Sequence, residues 1–451
     1  MAELSKFAHS HDLGEYVAVW HSLRMKPVFL TKEAFNNLQC GLYSSEIEKE
    51  LTSKKILLSY PGEDTDVINR VRQKVPPPGV GLGYFLLSER CNLACEYCFM
   101  GSNTHKQGAA LHKDMTREVA DKAISFFIRQ LISSGIDFSK NKPQIIFFGG
   151  EPLIAFDTLD YVVKRINELK GECSVLANIE MSIITNGTLL TKERIQRLND
   201  LGVAVSISID GPSETANKMR VDATGKGAFD RIIDVLDLCK KMQVKVGLSV
   251  TLTEDTIRDL PGMLKLVKDY EIKGFGYNIP MCNESFQVSD DFYAEASRFI
   301  IESFKALRTM GVYEDRIMRK LITFSSSQIY FSDCGATGGG QVVFTPDGRV
   351  GLCHGLLEDK EHFVTTVDDG TFIASEHPLW REWASLSPIN QDECIDCEAL
   401  GICGGGCPVN ARFLNPGKKG LQTIDGRTCI HSKSTLRFLI EDLYNIARER
   451  Q

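Results

Sequence analysis

The spacing of cysteines constrains this chain more than any other feature. Fourteen cysteines occur in 451 residues, and ten fall into two groups, Cys91/Cys95/Cys98 and Cys334 through Cys429. Cys40, Cys173, Cys239 and Cys282 stand alone. The N-terminal run MAELSKFAHSHDLGEY has no basic stretch followed by an apolar one, so it does not read as a secretory signal, and a cytoplasmic protein is expected. In that reducing compartment grouped thiols bind metal or do chemistry more often than they form disulfides. No apolar run approaches the roughly 20 residues that span a bilayer. A net charge of −7 and a pI near 5.8 come without the clustered Lys and Arg of a nucleic-acid footprint. Neither a membrane nor a nucleic acid is expected as a partner.

A length of 451 residues predicts two or three domains. Short apolar runs at 84–87, 144–148, 180–184, 203–209, 244–251 and 274–279 alternate with segments of helical spacing at 116–132, 156–169, 192–201, 229–240 and 257–270. Such repeats imply parallel strands with right-handed crossovers, hence an α/β fold with a partial (β/α)6 barrel, short of the eight units of a full one. Before it, 1–75 holds strand-like runs at 16–20 and 27–31, helix-like segments at 32–38 and 45–51, and an apolar run at 56–60. A Pro-rich linker at 75–83 follows. After the barrel, 76–285, a helical bridge over 286–333 with its helix at 292–319 leads to a Gly-dense cysteine region, 334–430, of the kind held together by metal rather than by a core. A C-terminal amphipathic helix is expected within 431–451.

The first cysteine group sits in the loop after the first barrel strand, where parallel barrels carry their active sites. Three thiolates on one loop can bind three irons of a [4Fe-4S] cube and leave the fourth open. Structural zinc would want a fourth ligand at fixed spacing, and His105 and His112 are irregularly placed. The run Cys91-Asn-Leu-Ala-Cys95-Glu-Tyr97-Cys98-Phe99 closely resembles the radical S-adenosylmethionine (SAM) signature. Gly149-Gly150-Glu151-Pro152 resembles the family's GGEP motif, which contacts the methionine amino group, and a glycine pair lets backbone approach a ligand closely. Thr185-Asn186-Gly187 and the segment Ser206 to Gly211, with Ser208 and Asp210 as its polar candidates, resemble contacts to the ribose and carboxylate of SAM. Arg220 lies in a family-like NKMR segment, and Tyr97 matches the aromatic position beside the adenine. The resemblance implies reductive cleavage of SAM to a 5′-deoxyadenosyl radical that takes hydrogen from a substrate.

In the second group the order of Cys334, Cys353, Cys394, Cys397, Cys403, Cys407 and Cys429 resembles the SPASM domain of radical SAM peptide and protein maturases. CxxC pairs standing alone would read as zinc knuckles; behind such a barrel two auxiliary [4Fe-4S] clusters are the better reading, three in all. By position, Cys394, Cys397, Cys403 and Cys429 would hold the outer cluster and Cys334, Cys353 and Cys407 the inner one. Where some relatives carry an extra cysteine, this chain has Gln328, so either Cys282 completes the inner cluster or one iron is open. The sulfatase maturases of this group place an Asp after the cysteine matching Cys353; here His354 stands there, either a departure in chemistry or a surface loop residue.

The strand and helix pattern of 1–75 resembles the small winged-helix-like element by which peptide maturases grip a leader peptide, with the edge of 16–20 as the expected site of strand addition. The expected function is that of a peptide maturase acting on a ribosomally made precursor with a leader, installing a thioether or carbon-carbon crosslink, with a flavodoxin- or ferredoxin-type electron donor. The alternatives are a sulfatase maturase forming formylglycine and, from another class, a non-catalytic iron-sulfur electron carrier. Trp380 and Trp383 read as anchors of the auxiliary region rather than as channel walls. The lone Cys40, Cys173 and Cys239 read as small hydrophobes.

Overall fold

The computed structural model describes residues 3–100, 113–281, 286–357, 360–414 and 424–449. The N-terminal segment forms three antiparallel strands, β1 (Ala8–Asp12), β2 (Tyr16–His21) and β3 (Val28–Thr31), and three helices, α1 (Lys32–Gln39), α2 (Ser45–Ser53) and α3 (Glu63–Arg72). Thr31 and Ser44 start α1 and α2 by accepting hydrogen bonds from the backbone N–H of Ala34 and Ile47. Val17 and Val19 pack with Leu38, Leu51 and Ile56 on one face of the sheet, while on the other the Trp20 indole N–H donates to the Glu398 carbonyl at 3.3 Å. Covered on both faces, β2 reads as continuous apolar sequence. It is also the central strand, paired with β1 on one side and β3 on the other, so the expected strand addition at 16–20 is ruled out: its backbone edges are already occupied.

Beyond Pro77 the apolar runs become β4 (Leu82–Ser88), β5 (Gln144–Gly149), β6 (Glu180–Thr185), β7 (Val203–Ile209), β8 (Gly247–Thr251) and β9 (Gly274–Asn278). They alternate with α4 (Arg117–Ser133), α5 (Phe156–Leu169), α6 (Lys192–Asp200), α7 (Phe229–Lys241) and α8 (Leu260–Asp269). Neighbouring strands pair in parallel. Along each strand the helix-facing residues, such as Phe85 and Phe147, are fully buried, whereas alternate residues, such as Tyr84, Phe148, Ser208 and Ser249, are half-buried. The expected helix over 292–319 is two helices, α9 (Phe292–Thr309) and α10 (Asp315–Ser326). Gly311, at φ +68°, breaks the run, and the intervening β10 (Tyr313–Glu314) joins β9.

Three more strands come from the cysteine-rich region: β11 (Gln341–Phe344), β12 (Arg349–Gly351) and β13 (Thr365–Thr366). β11 pairs in parallel with β4, and the Phe344 ring lies 4.8 Å from that of Phe85. The result is an open ten-stranded sheet in the order β10-β9-β8-β7-β6-β5-β4-β11-β12-β13. The remaining helices are α11 (Pro378–Ala384), α12 (Leu400–Cys403), α13 (Pro408–Leu414) and α14 (Gly426–Glu449). Trp380 and Trp383 are fully buried, and Trp380 donates to the Gln341 carbonyl at 2.9 Å, so both are anchors.

The chain divides into two units. One comprises Met1–Pro76, Arg316–Thr337 and Ser385–Gln451; the barrel unit comprises Pro77–Asp315 and Gly338–Ala384. Among the described residues no helix is long and apolar enough to cross a membrane.

Candidate functional site

The loops that leave the C-terminal ends of β4 to β7 meet around Cys91. Backbone bonds tie them together: the N–H of Gly150 donates to the Ser88 carbonyl and that of Glu151 to the Arg90 carbonyl, both at 2.8 Å. A Cβ at Gly149 or Gly150 would collide with those same carbonyl oxygens, and Gly149 has φ +136°. The glycine pair therefore serves the approach of this chain's own cysteine loop, a reason different from the close approach of a ligand expected for it.

Glu151 is fully buried. Its carboxylate accepts from Thr185 Oγ1 at 2.7 Å and from the N–H groups of Asn186 and Leu153 at 2.8 and 2.9 Å. Burial raises its pKa against those hydrogen bonds, which favour the charged form. Asn186 in turn donates to Asn92 at 2.9 Å, with its Nδ2 4.0 Å from Cys91 Sγ. Glu151 is thus a positioning residue that carries the order of β5 through Thr185 and Asn186 to the first cysteine.

On the other side of the loop, the Tyr97 hydroxyl donates to Asp210 at 2.6 Å, and Arg220 Nη2 reaches the Tyr97 oxygen at 2.7 Å and Asp210 at 2.6 Å. Asp210 and Arg220 have side-chain exposures of 0% and 6%. Burial opposes charge on Arg220, but Asp210 outweighs it and the guanidinium stays ionised. The N–H groups of Ala94 and Glu96 donate to the carbonyls of Val221 and Met219, at 2.6 and 3.1 Å, which docks the cysteine loop onto the Arg220 segment. Asp210, one of the groups expected to touch ribose or carboxylate, thus binds Arg220 and Tyr97. Ser208 stands half-buried on β7 beside Ser249 of β8.

Some of the thiols lie close enough to act on one another. Burial pushes Cys91 up to about 12, with Glu151, Cys95 and Cys98 adding to the rise. Cys95 is pushed up to about 11 by burial, against the pull of Arg220. Burial also lifts Cys394 to about 12, with Cys403, Cys429 and Cys397 close enough to add to it, and Cys407 is close enough to Cys334 to act on it. Buried thiols whose ionisations oppose one another become thiolates only against a strong local positive charge, which is what an iron cluster supplies. Among the described residues no three His, Cys, Asp or Glu side chains form a cage for a single metal ion. Cys334 and Cys407 belong to one unit and Cys353 to the barrel unit. Cys282 lies outside the described residues.

His354 is not a surface residue. Its ring lies 4.5 Å from Tyr84, 5.3 Å from Phe148 and 5.6 Å from Phe99, and burial lowers its pKa to about 4. Its Nδ1 is buried without a hydrogen-bond partner. Of the lone cysteines, Cys239 is buried as expected, Cys173 is half-buried and Cys40 is exposed. Asn92 and Asn217, whose side-chain oxygen accepts from the Asp210 N–H at 2.8 Å, were not singled out from sequence. Only their places beside the family-like motifs could have flagged them.

A parallel α/β sheet with a three-thiol loop and a GGEP turn at its strand ends defines a class, the radical SAM enzymes. Residues 85–267 match the Radical SAM superfamily, so the barrel carries a radical SAM domain. It is 26% identical over 404 residues to the radical SAM cyclopropyl synthase TigE of Paramaledivibacter caminithermalis, covering 86% of this chain and 79% of that one. It is 25% identical over 338 residues to a cysteine-type anaerobic sulfatase-maturating enzyme of Clostridium perfringens, covering 71% and 86%. Its fold is similar to that of SuiB from Streptococcus suis at 16% identity. The TM-score is 0.56 for SuiB bound to S-adenosylmethionine, over 94% of this chain and 99% of that one. It is 0.52 for SuiB bound to the precursor peptide SuiA, over 95% and 100%.

Proposed function

We propose that this radical SAM enzyme modifies a ribosomally made precursor peptide, gripping its leader and installing an intramolecular thioether or carbon-carbon crosslink. The single observation that carries this reading is the N-terminal element of three antiparallel strands and three helices, with a groove of about 500 Å³ along β1. Ala8, Val19, Phe35 and Leu38 make its apolar lining, and His9, Asp396, Glu398 and Lys433 its polar one. The N–H of Ser22 donates to the Phe7 carbonyl and that of Leu13 to the Tyr16 carbonyl. In this antiparallel register the backbone groups of His9 and His11 face β2, and those of Ser10 and Asp12 face outward. An extended leader could therefore add to β1, with backbone bonds for affinity and side chains entering the groove.

Bound SAM and its cluster would supply a 5′-deoxyadenosyl radical; the chain's own residues hold the target C–H near it and keep water away. In this reading Cys91, Cys95 and Cys98 hold the SAM-binding cluster, and Tyr97, Glu151, Asn186, Ser208, Asp210 and Arg220 shape the SAM pocket around it. Cys394, Cys397, Cys403 and Cys429 hold an outer auxiliary cluster, and Cys334 and Cys407 belong to an inner one. A flavodoxin- or ferredoxin-type protein supplies electrons. A second reading, oxidation of a sulfatase Cys or Ser to formylglycine, is favoured by the 25% identity to the Clostridium perfringens enzyme. His354 weighs against it, because a neutral imidazole among aromatic rings is not the carboxylate that the sulfatase maturases place there.

The test is anaerobic co-expression with candidate precursor peptides and intact-mass comparison against a Cys91→Ala/Cys95→Ala/Cys98→Ala variant. Loss of two hydrogens per modification, seen only with intact cysteines, is the expected result; the number of thiols that still alkylate then separates thioether from carbon-carbon bonding. Unchanged precursors together with aldehyde formation on a sulfatase-derived peptide would replace this reading with the second.

A further inference from the structure

Lys320 is a buried cation with no carboxylate within ion-pair distance among the described residues. It lies on α10 with 2% of its surface exposed, and its ammonium donates to the carbonyls of Ile402 and Cys403 at 3.2 and 3.1 Å. Two neutral carbonyls engage two of its three N–H groups. Among the described residues no carboxylate lies within ion-pair distance of it; Asp333 pairs instead with Arg316 at 3.6 Å and Arg319 at 3.4 Å. Arg319 also donates to the Asp333 carbonyl at 2.9 Å. The N–H groups of Tyr330 and Asp333 donate to the carbonyls of Gly401 and Gly404, both at 2.8 Å, and so fasten this charged segment to the Cys403 turn.

Lys320, Arg316 and Arg319 thus lie near Asp333 behind the turn that carries Cys403. A buried ammonium is stabilised by nearby negative charge. An iron-sulfur cube ligated by four thiolates carries net negative charge and would add to what Asp333 supplies. The reduced cube is one unit more negative than the oxidised one, so a fixed cation beside it favours the reduced state.

We propose that Lys320, backed by Arg316 and Arg319, is a positioning residue that raises the reduction potential of the outer auxiliary cluster and so fits it to accept an electron. This rests on the reading that Cys394, Cys397, Cys403 and Cys429 hold that cluster. The test uses the full chain with Cys91, Cys95 and Cys98 replaced by Ala, reconstituted with iron and sulfide and titrated redox-potentiometrically under electron paramagnetic resonance. The signal lost in Cys394→Ala identifies the outer cluster. Lys320→Met is expected to keep its iron and move that midpoint to a more negative potential, and Lys320→Arg to return it toward the parent value. An unmoved midpoint in Lys320→Met at full iron content overturns the proposal. If Lys320→Met loses iron, Arg316→Gln decides: a smaller shift in the same direction supports the proposal, and no shift overturns it. Absence of any cluster signal in the parent background would instead overturn the cluster assignment itself.

Discussion

The Cys91 loop and the segment from Cys394 to Cys429 both gather thiols, yet they are held by different means. The first hangs from the ends of parallel strands and is fixed by backbone bonds to the Gly149-Gly150 turn, by buried Glu151, and by the Tyr97, Asp210 and Arg220 triad. The second consists of single turns and short helices, with Cys394 and Cys397 packed against Phe7, Leu23 and Leu400 and only α14 extending far beyond a cysteine. The barrel's site is held by the fold's own hydrogen bonds. So little regular structure surrounds the other that a metal bound there would carry much of its order.

The sharpest break of this comparison is between two sets of substitutions. Replacing Cys91, Cys95 and Cys98 by Ala is expected to abolish 5′-deoxyadenosine formation while thermal unfolding changes little. Replacing Cys394 and Cys397 by Ala is expected to leave SAM cleavage measurable but to lower the melting temperature by several degrees, corresponding to about 2–4 kcal/mol. Equal destabilisation by the two sets would erase the distinction. Within the barrel, Arg220→Ala strands a buried carboxylate on Asp210 and is expected to cost about 3–5 kcal/mol in denaturant unfolding. Glu151→Gln keeps the shape but weakens charge-assisted hydrogen bonds, for a loss of about 1–3 kcal/mol and a raised KM for SAM, read by unfolding and by 5′-deoxyadenosine kinetics.

The N-terminal sheet adds a pH arm to the comparison. Burial, with Arg24 adding to it, pushes the His21 pKa down from 6.5 to about 4, and its Nδ1 accepts from the Leu23 N–H at 3.2 Å. The folded pKa of this base lies below the unfolded value, so its contribution is fully present above pH 6.5. It is lost as the pH falls toward about 4, when the unfolded chain takes up the proton first. The expected decline is about 2–3 kcal/mol, and His21→Gln should flatten it in denaturant midpoints measured at neutral and acidic pH. The smallest expected effect is that of Ser10→Pro, which removes an outward backbone donor from β1. It should weaken leader binding several-fold in a titration with a labelled leader peptide while unfolding changes by less than about 1 kcal/mol.

How much of this was legible in sequence follows from the same contrast. The barrel strands fell where apolar runs predicted them, because their helix-facing residues, such as Phe85, Phe147, Ile207 and Val250, are buried and so must be apolar. β1 was missed because His9, Ser10, His11 and Asp12 carry no apolar alternation, and α3 because its acidic first turn, Glu63, Asp64 and Asp66, hides the buried stripe of Val67, Ile68 and Val71. β11 was lost among glycines and cysteines, though it is the strand that extends the barrel sheet beyond β4. In the site, the cysteines and motif residues were recognisable from their order along the chain. What order could not reveal was how they are used, since the Asp210–Arg220 pair and the seat of Glu151 exist only once distant loops meet.

The division of the chain also sets a schedule for its synthesis. Met1–Pro76 leaves the ribosome well before the rest of its unit, Arg316–Thr337 and Ser385–Gln451, is made. Until Glu398 emerges, the Trp20 indole N–H has no carbonyl to meet, and until Gln341–Phe344 emerges, β4 lacks its parallel neighbour. The nascent protein therefore passes through translation with an apolar sheet face and an open strand edge uncovered. Its yield in a foreign host should depend on how fast the last quarter of the chain follows the first.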